Sequence, residues 1–102
     1  MTTEEKISEL NSIALMMSPH PENNKDSEFN ARLNGLCRVI ESMQKELNSS
    51  KMNKSIRIIK DQVMNIEHEN LCALVDHKLI TDCCKSIMIE TDKLESNIVK
   101  SK

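Results

Sequence analysis

The chain has 102 residues, 14 Lys+Arg against 16 Asp+Glu, one Phe, no Tyr or Trp, one Gly and two Pro. That length suits one domain or less, and with a single aromatic ring the core must be built from Ile, Leu, Met and Val. The shortage of Gly and Pro removes the turn chemistry of β-hairpins and barrels, and a net charge of −2 offers no general field for nucleic acid or an anionic membrane. The expected fold class is all-α.

No window approaches 18 uninterrupted apolar residues, and the first thirty carry Glu4, Glu5, Glu9, Glu22, Asp26 and Glu28 rather than the apolar core of a leader. The expectation is an intracellular protein, cytoplasmic or nuclear, with no membrane insertion. Cys83 and Cys84 are adjacent, and without a secretion signal the thiols are expected to be reduced.

In chain order, Thr2 precedes Glu5 by three residues, the spacing at which a hydroxyl and a carboxylate satisfy each other's backbone amides. A short amphipathic helix is expected over residues 1–17, with Ile7, Leu10, Ile13, Ala14 and Met17 on one stripe. Pro19 and Pro21 stop it, and residues 18–27 read as a polar linker. Asp26 or Ser27 then caps a second helix over 28–47, whose stripe is Phe29, Leu33, Leu36, Ile40, Met43 and Leu47. Gly35 falls on the polar side of that helix and weakens it by about 1 kcal/mol relative to Ala. The next in-phase positions, Ser50, Lys54 and Arg57, are polar, so a turn is expected at 48–51.

A new heptad frame starts at Met52. Its a positions are Ile56, Val63, Asn70, His77, Cys84, Thr91 and Ile98, and its d positions Ile59, Ile66, Ala73, Ile80, Ile87 and Leu94. Neither Gly nor Pro occurs beyond Met52, so one long helix is expected over 52–100, with Thr81 and Asp82 as the positions that could cap a restart. The three helices would be roughly 21, 30 and 70 Å long. Folded back at 48–51, the second covers the third from about residue 52 to 72, and the first can lie along part of the remainder. Leu71, Leu74, Val75 and Leu79 lie off the seam and call for further neighbours. The expected architecture is therefore an elongated helical hairpin or bundle over 28–102, with a long C-terminal coiled-coil helix completed by other chains.

Asn70 at an a position is the residue best suited to fix register, by pairing with another polar group across the seam; otherwise it marks a solvated gap or a break in the helix near His68, Glu69 and Asn70. His77 is a pH-sensitive seam residue or, more commonly, a satisfied or partly exposed histidine. His68, Cys72, His77, Cys83 and Cys84 lie on different helical faces without a C-x-x-C pair, so no metal site is expected, and no cofactor. Cys72 and Cys84 read as small core residues, and Cys83 as an exposed, oxidisable thiol. Lys51, Lys54, Arg57 and Lys60 give residues 51–60 a charge of +4, reversed by Asp61, Glu67, Glu69 and Asp76. Such a bipolar helix is ordinarily solvated surface.

No Gly-rich phosphate loop, G-x-S-x-G or H-E-x-x-H occurs, so no enzymatic activity is expected. The function expected is a non-enzymatic interaction subunit, a scaffold or adaptor, joined to other helical protein subunits through Ile56, Ile59, Val63, Ile66, Asn70, Ile80, Ile87, Leu94 and Ile98. Leu71, Leu74, Val75 and Leu79 form a secondary apolar face. A hetero-oligomer is favoured over a homo-oligomer, because a parallel homodimer would set Glu90 against Glu95, Gln62 against Glu67 and Glu69 against Leu74 of the second copy. The alternatives are a self-contained homo-oligomer, or a small helical chaperone that sequesters a partner through its Met-rich and Leu71 to Leu79 surfaces.

Overall fold

The computed structural model describes the backbone of residues 2–46 and 50–101 and the side chains of residues 2–45 and 53–97. Helix α1 spans Thr3–Met17, α2 Ser27–Glu46, α3 Ser50–Asn70 and α4 His77–Ser101, with a 3-10 turn at Pro21–Asn23. The start of α1 follows from the Thr2 and Glu5 pair: the Glu5 amide donates to the Thr2 hydroxyl at 3.1 Å, and the Thr2 amide reaches the Glu5 carboxylate at 3.5 Å. Two of the four amides that a helix leaves unpaired at its start are thereby satisfied. Of the turn expected at 48–51, Asn48 and Ser49 lie outside the described residues, as do the side chains of Leu47, Met52 and Ile98, while Ser50 already opens α3.

Each helix buries one stripe against two neighbours. α1 packs on α2 and α4, and α3 packs on the same two. Polar contacts fix the directions: Lys6 Nζ donates to Ser42 Oγ at 2.7 Å, Lys60 Nζ to Gln44 at 3.3 Å, and Thr81 Oγ1 to the Ser18 carbonyl at 3.2 Å. The first pairs the start of α1 with the end of α2, the second the end of α2 with the middle of α3, and the third the start of α4 with the end of α1, so the chain runs up, down, up, down around one core. The molecule measures 45 × 22 × 21 Å, little longer than the 37 Å or so of α4 itself.

The core is as apolar as the stripes suggest. Ile7, Leu10, Leu36, Met43, Ile59, Ile66, Ile80, Ile87 and Leu94 are fully buried, and Phe29, the single ring, is 3% exposed. Gly35, expected on the polar side of α2, instead faces α1: a Cβ there would lie 3.3 Å from Ile13 Cδ1. The glycine leaves room for the end of the Ile13 side chain.

The long helix expected over 52–100 is interrupted. Residues 71–76 turn the chain back, so α4 lies beside α3 and α1 rather than extending past them. The restart is capped at Asp76, five positions before Thr81, where the carboxylate accepts the Leu79 amide at 3.2 Å. Val75 and Ile80 then stand at the two positions that brace a helix entry, and Val75 packs against the core. In consequence the seam residues Ile56, Ile59, Val63, Ile66, Ile80, Ile87 and Leu94 are covered by the chain's own helices. Among the described residues no helix is long and apolar enough to cross a membrane.

Ile59 and Ile87 are each fully buried, so Ile59→Asp or Ile87→Asp places an unpaired charge in the core and should cost several kcal/mol. Lys54→Asp, on an exposed position, should change the unfolding free energy by under about 1 kcal/mol. Equal tolerance of all three in urea melts would mean that the buried stripe is misassigned.

Candidate functional site

The end of the bundle that carries the 18–26 and 71–76 linkers concentrates what the core does not explain. Asn70, expected to set register with another chain, pairs within its own. Its Oδ1 accepts from Asn24 Nδ2 at 2.7 Å, and its Nδ2 donates to Asn30 Oδ1 at 3.0 Å. Asn30 in turn donates to the Asn24 and Asp26 carbonyls at 3.2 and 2.9 Å. The backbone of α3 ends under Lys25, whose Nζ donates to the Asn70 carbonyl at 2.7 Å. A cation on the last carbonyls of a helix satisfies an acceptor and the negative end of the helix dipole together. Asn24 is buried, and among the described residues no buried side-chain polar atom lacks a partner.

Beyond this clamp the chain turns the corner. The Leu71 amide donates to the His68 carbonyl at 3.1 Å and the Cys72 amide to that of Glu69 at 3.0 Å, while the Glu69 carboxylate accepts the Asp76 amide at 2.7 Å. Leu71 and Leu74 point outward, 85% and 92% exposed, and Leu79 is 38% exposed. Burying a leucine contributes about 1.5 to 3 kcal/mol that these side chains do not realise in the single chain. Around them stand Glu67, Glu69, Asp76 and Asp82 against Lys78 and Lys25, the last on the Asn70 carbonyl. The corner is an apolar knob in an acidic setting.

The remaining residues singled out in the sequence divide. Val75 is half-buried against the core, whereas His68 and His77 are exposed on either side of the corner. Cys72, read as core, is half-exposed, and Cys83, read as an exposed thiol, is buried at 3% exposure. Cys84 is fully buried, as its a position requires. Among the described residues no three His, Cys, Asp or Glu side chains are grouped to hold a metal.

Three thiols are shifted away from ionisation. Burial, then the hydrogen bond and charge of Glu67, push Cys37 up to about 12. Burial pushes Cys84 up to about 12, with a smaller contribution from Cys83, and raises Cys83 as well, helped by Asp82 and Glu69. A thiol held protonated is a poor nucleophile.

Two surface depressions are lined by described residues. One runs along α3 and α4 past Ser55, Ile89, Asp92 and Lys93; the other lies between the end of α1 and the start of α2, by Met16, His20, Phe29 and Arg32. Neither sets a nucleophile against a base. Comparison of the chain with protein-family models, curated proteins and solved structures finds no match.

Asn70→Ala removes the acceptor of the buried Asn24 amide and should cost roughly 1 to 3 kcal/mol in urea unfolding, with Asn70→Asp, which keeps the acceptor, costing less. The thiols give a pH dependence. The unfolded Cys84 thiol ionises near 9 and the folded one near 12, so the unfolded state holds fewer protons in that window. Stability is full below about pH 9 and falls as pH rises towards 12, more shallowly in Cys84→Ala.

Proposed function

We propose that this chain is a non-enzymatic interaction module, a small helical adaptor or scaffold that engages another helical protein subunit. The observation that carries the reading is the α3–α4 corner, where two leucines stand almost wholly in water on a chain whose core has no need of them. Such residues on a packed bundle mark a contact surface. The buried seam residues, Ile56, Ile59, Val63, Ile66, Ile80, Ile87 and Leu94, do a different job in the single chain: they hold the bundle together, and a partner reaches them only by opening it.

The chemistry of the corner specifies its partner. Leucine knobs fit an apolar groove of the kind two packed helices present, and the acidic setting favours a groove rimmed by Lys or Arg. Exposed Leu15 and Met16 at the end of α1 widen the adaptable surface.

The test is a comparison of the wild-type chain with Leu71→Ser/Leu74→Ser and with Met64→Ser, all as immobilised bait. Both variants alter exposed positions and should melt within a few degrees of the wild type. A specific partner is retained by the wild type and by Met64→Ser and lost, with at least a ten-fold fall in affinity, by the double variant. Equal retention by all three would remove the corner from the interface.

A further inference from the structure

The chain has three histidines, and all of them are exposed at the end of the bundle that carries the corner: His20 in the α1–α2 linker, His68 in the last turn of α3 and His77 at the first position of α4. Leu71 and Leu74 lie between the last two in the chain. The 3-10 turn at Pro21–Asn23 packs on α4 and brings the linker to the same place. Glu22 joins the first histidine to the third: its carboxylate lies 3.3 Å from His20 Nδ1, and a backbone hydrogen bond, then His20 and His77, hold it below the usual carboxylate range. The other charged groups around the histidines are fixed in sign. His20 shares its depression with Asp26, Glu28 and Arg32. His77 stands between Asp76 and Lys78 in the chain, and His68 between Glu67, which holds the Cys37 thiol of α2, and Glu69, with Lys25 of the linker on the Asn70 carbonyl. Carboxylates ordinarily ionise below, and Lys and Arg lose their charge above, the range of about pH 5 to 8 in which imidazole titrates.

We propose that His20, His68 and His77 make the corner a pH-gated contact surface, which holds a helical partner at neutral pH and releases it in mild acid. This rests on the corner being a docking surface for an apolar groove rimmed by Lys or Arg. At neutral pH the carboxylates of Glu67, Glu69, Asp76 and Asp82 offer that rim an attractive field, opposed by Lys25 and Lys78 alone. Acidification adds a positive charge at each imidazole, of the same sign as the rim, and like charges brought together across a contact oppose it. A charge acts over about 8 Å at physiological salt, so a histidine at the far end of a molecule 45 Å long would have no part in the gate, and the far end has none. The three are exposed, so protonation places no charge in the core and leaves the bundle folded. The gate therefore acts on the contact and spares the fold.

The probe is a synthetic two-helix hairpin of Leu and Lys whose apolar groove is rimmed by lysine, and its dissociation constant for the full chain is read by fluorescence anisotropy at about pH 7.5 and about pH 5.5, on either side of the imidazole range. The wild-type chain should bind at the higher pH and lose about five-fold or more at the lower. His20→Gln/His68→Gln/His77→Gln alters only exposed positions and should bind like the wild type at the higher pH and keep that affinity at the lower. A hairpin rimmed by Glu in place of Lys should reverse the wild-type response and bind better in acid. No binding of the lysine-rimmed hairpin at the higher pH, or equal binding by Leu71→Ser/Leu74→Ser, removes the docking surface and the gate with it. Wild-type binding that is indifferent to pH, or that weakens in acid equally in the triple variant, overturns the gate alone. So does a Glu-rimmed hairpin that also weakens in acid, because the loss would then lie in the fold and not in the charge of the contact.

Discussion

The reversal at residues 71–76 is the constraint on which the rest of the structure depends. Without it α3 and α4 would form a single rod of roughly 75 Å, half of whose apolar stripe α1 and α2 are too short and too constrained by their linker to cover. With it, the four stripes face one another and the core closes within one chain. The turn costs the regular hydrogen bonding of a helical segment and leaves Leu71 and Leu74 in water. Burial of α4's stripe, at about 1.5 to 3 kcal/mol for each large side chain, outweighs that cost several times over. Tertiary packing here overrides local helix propensity, as it commonly does when a segment lacks Gly and Pro but has somewhere better to lie.

What fixes the turn at this place rather than another is polar. Asn70 is tied by both ends of its amide to Asn24 and Asn30, and its carbonyl to Lys25. The α1–α2 linker thus terminates α3 from outside, and Asp76 restarts the chain as α4. Because the same clamp holds the linker, the two loops at this end of the bundle are one polar unit, and the exposed leucines are presented from a braced platform. At the opposite end Lys54 and Arg57 near the start of α3 stand among Glu4, Glu5 and Glu9 of α1 and Glu90, Asp92 and Glu95 of α4, so that end carries both signs of charge.

The sequence revealed elements and faces better than it revealed their connection. The Thr2 and Glu5 cap, the stripes of α1 and α2 and every described a and d residue from Ile56 to Ile66 and from Ile80 to Leu94 could be read from spacing, and they are buried. The break between α3 and α4 could not be read from the heptad, because Asn70 and His77 are seven apart and the frame passes through the corner intact. The signal that was present is local: Val75, Asp76 and Ile80 make a brace and cap, a pattern that carries less weight than an uninterrupted periodicity. The partners of Asn70 lie more than forty residues away in the chain, so its polarity was visible but its pairing was not. Gly35 is similar: a glycine in a helix is legible as a weakness, but the close approach of Ile13 that it permits is a property of the packed pair. Cys83 misled for another reason. It is one residue off the ideal stripe, and a helix packed against two neighbours buries a wider arc than a two-stranded seam does.

The corner is thus where local and global preferences of this chain disagree, and such disagreement is commonly where function resides. The polar clamp decides that disagreement in favour of the turn: with Lys25 on the Asn70 carbonyl and Asn24 and Asn30 on its side chain, α3 ends at residue 70 and Leu71 and Leu74 are held in water beyond it. A partner that buries those leucines meets a surface already formed and loses little of its binding energy to ordering it.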